Sequence, residues 1–461
     1  MIKGSVKIIY HNDNADSIIA SAGRISTTKG TANEIYEESL KKDNEDNIRL
    51  IGKILSSGHT SVLEHCNLNL SFDNVSVFVE QFMIEFRLAS FTVKSRRYVD
   101  FGKMGYVMPD FTKYKERADE IRSLYQSHME YLFKEYNDLI ECGIPKEDAR
   151  FVLPYSFRSN FYCTMNAREL VKVVNEMVWG RGKNYPELVM LGESLIEQCR
   201  DMLPFLKFGM GNENKKGLPF SVAGDNKRTD ISDAPVTLLN GPENPEEIIC
   251  RAAMLSSGDP NRLSLDVKDV SMQKSIIKDI IEASRKRELE QVHFTILFNH
   301  VSLAGVTHLV RHRMQSIIVP VYIHICDYKK YILPESIVKA GLKERYEAIF
   351  ERSEKNAEAL SKAGFSEFDK AYLLLSGMTV PVLTTMNANE LITFLRLRCC
   401  NRAQWEIRED ARKLLQCLRE KYPVLFSLYG PTCYMSGMCP EGKMTCGQIT
   451  EIKRMFSVED C

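Results

Sequence analysis

The sequence predicts two tandem copies of one α+β fold, each a mixed or antiparallel sheet packed with long helices. Three observations predict it. Landmarks recur in one order along the chain at a nearly constant offset, the mark of an internal duplication. Short alternating apolar runs that read as strands are interspersed with longer runs of helical period. They do not follow the regular strand–helix–strand alternation of a parallel sheet, which argues against a doubly wound arrangement.

The first copy opens with a strand-like run, Val6-Lys7-Ile8-Ile9-Tyr10, a turn at Asn12-Asp13-Asn14 and a short helix from Ser17 to Ser26. Val236 to Asn240, Pro242 to Pro245 and Glu247 to Ser256 repeat that order, and Ser26 to Ser256 is 230 residues. Leu63-Glu64-His65 leads into Leu68 to Phe72, as Leu289 to His293 leads into Phe294 to Phe298, with His65 and His293 228 apart. Arg87-Leu88-Ala89-Ser90 matches Arg313-Met314-Gln315-Ser316 at 226, and Thr164-Met165-Asn166-Ala167 matches Thr385-Met386-Asn387-Ala388 at 221. An offset that drifts in one direction over four landmarks is what a few short deletions leave after duplication. Glu116 to Glu135 and Glu344 to Ala363 carry helical periodicity with charged faces. Coarsely, each copy reads strand, helix, helix, strand, long helix, basic loop, helix and a final helix pair. The domains expected are 1–212, a polar linker at 213–232, 233–430 and a cysteine-containing tail at 431–461.

Composition narrows the function classes. With 461 residues each copy has length for its own core. Lys+Arg and Asp+Glu are 61 each, so no global charge favours nucleic acid. No apolar run is long enough to span a membrane, and the N-terminus has no apolar signal segment. Thirteen cysteines without such a signal read as reduced thiols in a cytoplasmic protein. Cys433, Cys439 and Cys446, with five and six residues between them, are weak metal candidates. A fourth ligand would have to come from Cys399, Cys400 or Cys461. Ordinary thiols in a turn-rich tail read equally well.

Several side chains ask for an explanation. Arg311-His312-Arg313 lies between two apolar segments, where unmet charge is costly. Asn387, Leu391, Phe394 and Arg398 fall on one helical face, so Arg398 ends an apolar stripe. It reads as an anion-binding cation, as a snorkelling side chain or as one partner of a structural ion pair. Asn166 and Asn387, each three residues before a Glu, read as helix N-caps with capping boxes to Glu169 and Glu390. Lys94-Ser95-Arg96-Arg97 reads as a solvated basic face or a phosphate site.

These strings resemble the flavin-dependent thymidylate synthases. That family carries Arg-His-Arg-x-x-Ser-x-Asn-x-x-Ser-x-Arg-Tyr, with Gly-His-x-[Ser/Thr]-x-x-Glu-His upstream. Downstream come Ala-Arg-x-x-Leu-Pro and a helix beginning Asn-Ala-Arg-Ser-Leu, ending near Ala-Gln-Trp-Glu-Ile-Arg. The first copy keeps Gly58 to His65, then Ser90, Ser95, Arg97 and Tyr98, and Ala149 to Pro154. It has Glu85-Phe86 for the opening Arg-His and Met177 for the helix-end Arg, and Ala-Gln-Trp-Glu reads as lost. The second keeps Arg311 to Arg313, Ser316, Arg398 and Ala403 to Arg408, and loses most of the rest.

The resemblance implies FAD as cofactor, methylenetetrahydrofolate (a folate) and NADPH as co-substrates, and reductive methylation of dUMP to dTMP without a cysteine nucleophile. It implies catalysis by Arg398, contacting the uracil ring at N3. It implies flavin contacts from His59, Ser61, Glu64, Arg311, His312, Arg313, Asn387, Asn166 and Arg168. It implies nucleotide contacts from Ser95, Arg96, Arg97, Arg150, His308, Arg311 and Arg398. Family sites lie between the subunits of a homotetramer, so the complementary losses point to one site shared between copies and to a homodimer of the fused chain. Val93 replaces a carboxylate and Arg96 a glycine, which leaves open another pyrimidine nucleotide or a non-catalytic binding protein.

Overall fold

The computed structural model describes residues 4–211, 234–258 and 266–457; the expected linker lies outside them. Each copy builds a four-stranded sheet, and every pairing is antiparallel. The first comprises β1 (Ser5–His11), β2 (Asn67–Ser76), β3 (Ala89–Val93) and β4 (Arg158–Asn166), ordered β1-β2-β4-β3. The second comprises β5 (Val236–Asn240), β6 (His293–Ser302), β7 (Gln315–Ile318) and β8 (Thr379–Asn387), ordered β5-β6-β8-β7. Duplication extends to irregularities. The β2/β4 register shifts between Phe72 and Val75, and the β6/β8 register shifts between Phe298 and Val301, both 226 residues on.

Alternation selects the buried faces. Leu68, Leu70 and Phe72 of β2 are fully buried, as are Phe294, Ile296 and Phe298 of β6. Phe72 stacks on Phe161 of β4 at 4.5 Å, while Phe294 packs edge-on to Tyr422 and Phe426. The coarse element order needs correction. Two strands per copy stand where loop or helix is expected, because long-range pairing rather than local pattern makes them strands: β4 pairs with β2 and β3 with β4, as β8 pairs with β6 and β7 with β8. The basic stretch is a turn into edge strand β7, and the long helix follows it.

The chain divides into two compact units. The first is Met1–Asn226 with Tyr328–Gly377, and the second is Lys227–Asp327 with Met378–Cys461. A stretch of the second copy therefore belongs to the first unit. There the Ala118–Glu141 helix meets its counterpart, Lys343–Lys362. Arg345 donates to Glu135 at 2.7 Å and to Asp138 at 2.5 Å. The Ala149–Pro154 segment also pairs with its own counterpart. Tyr155 N donates to Leu374 O at 2.8 Å, Ser376 N to Leu153 O at 2.9 Å and Gly377 N to Phe151 O at 2.8 Å. A Cβ on Gly377 would stand 2.9 Å from Phe151 Cβ, so this crossing needs glycine.

Among the described residues no helix is long and apolar enough to cross a membrane. In the second unit the Trp405–Lys421 helix buries Glu406 and Asp410 one turn apart. Burial, with the Glu406 charge beside it, pushes the Asp410 carboxyl up to about 8. Between pH 4 and 8 the unfolded chain releases this proton and the folded chain keeps it. Stability therefore falls as pH rises through that window, by about 1.4 kcal/mol per unit. Asp410→Asn is expected to leave stability unchanged near pH 4 and to raise it progressively towards pH 8. Denaturation midpoints at pH 5 and 8 check this, and equal shifts at both would refute it.

Candidate functional site

The second unit holds the helix Ala388–Arg398, which starts on a side-chain cap. Asn387 Oδ1 accepts from Glu390 N at 2.8 Å. The expected capping box closes on this side only, because the Glu390 carboxylate turns to His312, 3.1 Å from its Nδ1. Leu391 and Phe394 are fully buried, and Phe394 presents its ring at 5.0 Å to the His312 imidazole. One turn on, Arg398 Nε donates to His312 Nε2 at 3.0 Å and Arg398 Nη2 to His308 O at 3.0 Å.

These contacts assign the tautomer. An Arg Nε–H only donates, so His312 Nε2 carries a lone pair and the ring proton sits on Nδ1, facing Glu390. Burial lowers the His312 pKa and the Arg398 charge adds to that, while Glu390 opposes them. The imidazole is neutral at neutral pH. Arg398 is therefore not a snorkelling side chain; two acceptors of its own unit hold its guanidinium. Arg311 and Arg313 are exposed on either side of the buried His312, at the turn that leads into β7. Gln315 locks that turn, donating to Leu309 O at 2.6 Å and accepting from Thr384 Oγ1 at 2.6 Å.

The first copy shows the same helix without the cation. Asn166 accepts from Glu169 N at 2.9 Å and caps Ala167–Val178. Phe86 stands at the His312 position and Met177 at the Arg398 position, both buried. Glu169 survives, and its Oε1 has no hydrogen-bond partner among the described residues; Lys172 Nζ is 3.8 Å away. Glu85, at the Arg311 position, pairs with Arg181, whose guanidinium lies over Phe86 at 5.3 Å.

The other expected residues fall in the first unit in two groups. His59, Ser61 and Glu64 are exposed at the short helix Thr60–His65, and Arg168 Nη1 is 2.5 Å from Glu64 Oε1, with Asn166 two residues before it. Ser95, Arg97 and Arg150 gather around Glu147. Arg97 Nε donates to the Glu147 carboxylate at 2.7 Å, Arg150 Nε to Glu147 O at 3.1 Å, and Arg97 N to Ser95 Oγ at 3.4 Å. Arg96 departs from expectation. It is 6% exposed and bonds to buried Glu80, which also accepts from Ser159 Oγ. Its guanidinium belongs to the core, not to a ligand surface.

The tail places Cys433 inside and Cys439 and Cys446 half-buried. Burial raises the Cys433 thiol, and neighbouring Cys400, Cys439 and Cys446 push it the same way. No group of three or more His, Cys, Asp or Glu among the described residues is arranged to hold a metal ion. Cys461 lies outside those residues.

One pair of residues escaped sequence reading. Glu406 accepts from Ser302 N at 2.7 Å and Ser302 Oγ at 2.6 Å. Glu187 does the same for Ser76, at 2.9 and 2.6 Å. The Glu of Ala-Gln-Trp-Glu is thus retained in the first copy as Glu187, correcting its reading as lost. The signal was a Ser before each apolar run, Ser76-Val77-Phe78-Val79 and Ser302-Leu303-Ala304-Gly305.

A family model described as thymidylate synthase complementing protein matches residues 7–205 and again 237–424. A flavin-dependent thymidylate synthase of Geobacter sulfurreducens is 34% identical over 230 residues, 48% of this chain and 97% of that protein. Another, from Clostridium tetani, is 32% identical over 241 residues, 48% of this chain and 96% of that protein. A solved structure of the UMP/dUMP methylase PolB from Streptomyces cacaoi, bound with 5-Br dUMP, covers 45% of this chain and 95% of its own at 24% identity and a TM-score of 0.38.

Proposed function

Because the chain belongs to the thymidylate synthase complementing protein family, matched over both copies, we propose that it is a flavin-dependent thymidylate synthase. The proposed reaction is reductive methylation of dUMP to dTMP, with methylenetetrahydrofolate as carbon donor and NADPH as reductant. A methylene becomes a methyl group by taking up two electrons, which NADPH supplies. The observation that carries this reading is Arg398, a guanidinium at a helix end held by His312 and His308 O. A fixed cation of that kind stabilises negative charge as it develops on a pyrimidine ring after loss of the N3 proton.

The donor set suits FAD. Exposed Arg311 and Arg313 in the second unit, and Arg168 with His59 and Ser61 in the first, present cationic and hydroxyl groups fit for phosphate and ribityl oxygens. When bound, the flavin supplies the redox chemistry. Arg97, Arg150 and Ser95 are proposed to hold the nucleotide phosphate and sugar. Buried Cys66, pushed up to about 11, and Cys163, Cys199 and Cys399, raised further by burial, are poor nucleophiles. Arg96 is drawn into the core by Glu80 and does not crowd the proposed nucleotide site. The chain is proposed to act as a cytoplasmic homodimer.

The purified protein is expected to show a flavin absorption spectrum that changes on adding dUMP, and to yield dTMP when all three substrates are present. Mass analysis of products from dUMP, dCMP and UMP tests the substrate. Turnover of dCMP or UMP alone would move the assignment to another pyrimidine nucleotide. Flavin-free protein without NADPH oxidation would make it a binding protein.

A further inference from the structure

We infer that Glu390 and His312 are positioning residues that set the plane and reach of the Arg398 guanidinium. This inference rests on the nucleotide reading above. Its geometry comes entirely from the second unit. Glu390 is fixed at the first turn of the Ala388–Arg398 helix by the Asn387 cap, and Arg398 sits in the last turn of the same helix. His312 spans the two, with one ring nitrogen on Glu390 Oε1 and the other on Arg398 Nε, and is 5% exposed. A carboxylate at Nδ1 orients the ring so that its Nε2 lone pair faces the Arg. That lone pair takes the one Arg donor that lies inside the fork, which fixes the guanidinium plane. His308 O then takes one terminal nitrogen from the side.

The first copy is an internal comparison. There the cation is Met177 and the ring is Phe86, while the cap and the acid remain as Asn166 and Glu169. Glu169 keeps an oxygen with no hydrogen-bond partner among the described residues. The caps and carboxylates serve both helices, so they do not require the cation. The imidazole is present in the copy that has the Arg and absent from the copy that lacks it. This is the pattern expected if the imidazole serves the Arg.

The test uses the full chain and dUMP as probe. His312→Phe installs the side chain that the first copy tolerates at this place, so the fold is expected to survive, as a thermal midpoint will report. Nucleotide affinity by calorimetry and kcat/KM are expected to fall by about ten- to a hundredfold. His312→Gln, which restores an acceptor for Arg398 Nε, is expected to recover part of the loss. In an Arg398→Ala background, whose binding is too weak for calorimetry, the residual kcat/KM is expected to be unchanged by His312→Phe, and by Glu390→Ala likewise. Additive losses in that background, or full affinity in His312→Phe, overturn the inference. Failure of the underlying reading looks different: the unaltered chain fails to bind dUMP, or Arg398→Ala binds it normally.

Discussion

Arg398→Ala is expected to lower the rate of dTMP formation by about a hundred- to a thousandfold and to abolish measurable dUMP binding, with the thermal midpoint nearly unchanged. The side chain is half-buried and its guanidinium is held by hydrogen bonds rather than packed in a core, so its loss costs charge more than packing. Lysine is expected to rescue poorly. It carries a point charge without the planar fork, and cannot donate to His312 and His308 O in the same plane. Arg97→Ala is expected to abolish binding as well, since its guanidinium is proposed to hold the nucleotide phosphate. Isothermal calorimetry with dUMP measures both. Normal binding by either variant would remove that residue from the nucleotide-binding set.

The duplication is legible in the sequence because its landmarks are local. Asn166 and Asn387 each announce a helix start within four residues, and each does cap its helix. The two strands that follow each Glu-rich turn alternate in period two, and β2 and β6 lie where that alternation places them. What stayed hidden is set by distance along the chain. His312 and Glu390 are 78 residues apart and Ser76 and Glu187 are 111 apart, so no local pattern joins them. Arg96 misled for the same reason. In the run Lys94-Ser95-Arg96-Arg97 it looks solvated, but Glu80, 16 residues earlier, draws it inside. Capping geometry misled in a subtler way. A Glu three residues after a cap has other destinations: Glu390 turns to His312, and the expected box of Asn166 with Glu169 does not close either, although Phe86 rather than an imidazole stands there. Domain boundaries were read from composition, whereas compactness assigns Tyr328–Gly377 to the first unit through backbone pairing that has no compositional trace.

Glu187→Ala and Glu406→Ala are expected to carry large stability costs, each about 3–5 kcal/mol. Each carboxylate is buried and accepts two hydrogen bonds from one serine, through its backbone N–H and its hydroxyl. Those serines cap the helices Val77–Ile84 and Leu303–Leu309, with Ser76 Oγ accepting from Val79 N and Ser302 Oγ from Gly305 N. Removing the carboxylate strands two buried donors and loosens a cap at once. Glu187 Oε2 also accepts from Tyr372 OH at 2.8 Å, so an amide nitrogen there faces a second hydroxyl, already committed as a donor. Glu187→Gln is therefore expected to cost stability, because the new amide cannot accept from the backbone N–H and both hydroxyls at once. Burial also raises the Glu187 pKa, so the hydroxyl and amide donors around it are what keep the carboxylate inside. Denaturant titrations of these variants decide the matter. Alanine costs below about 1 kcal/mol, the level of an ordinary exposed pair, would show that water replaces the carboxylate and that the repeated serine–glutamate contact does not hold the helix starts in place.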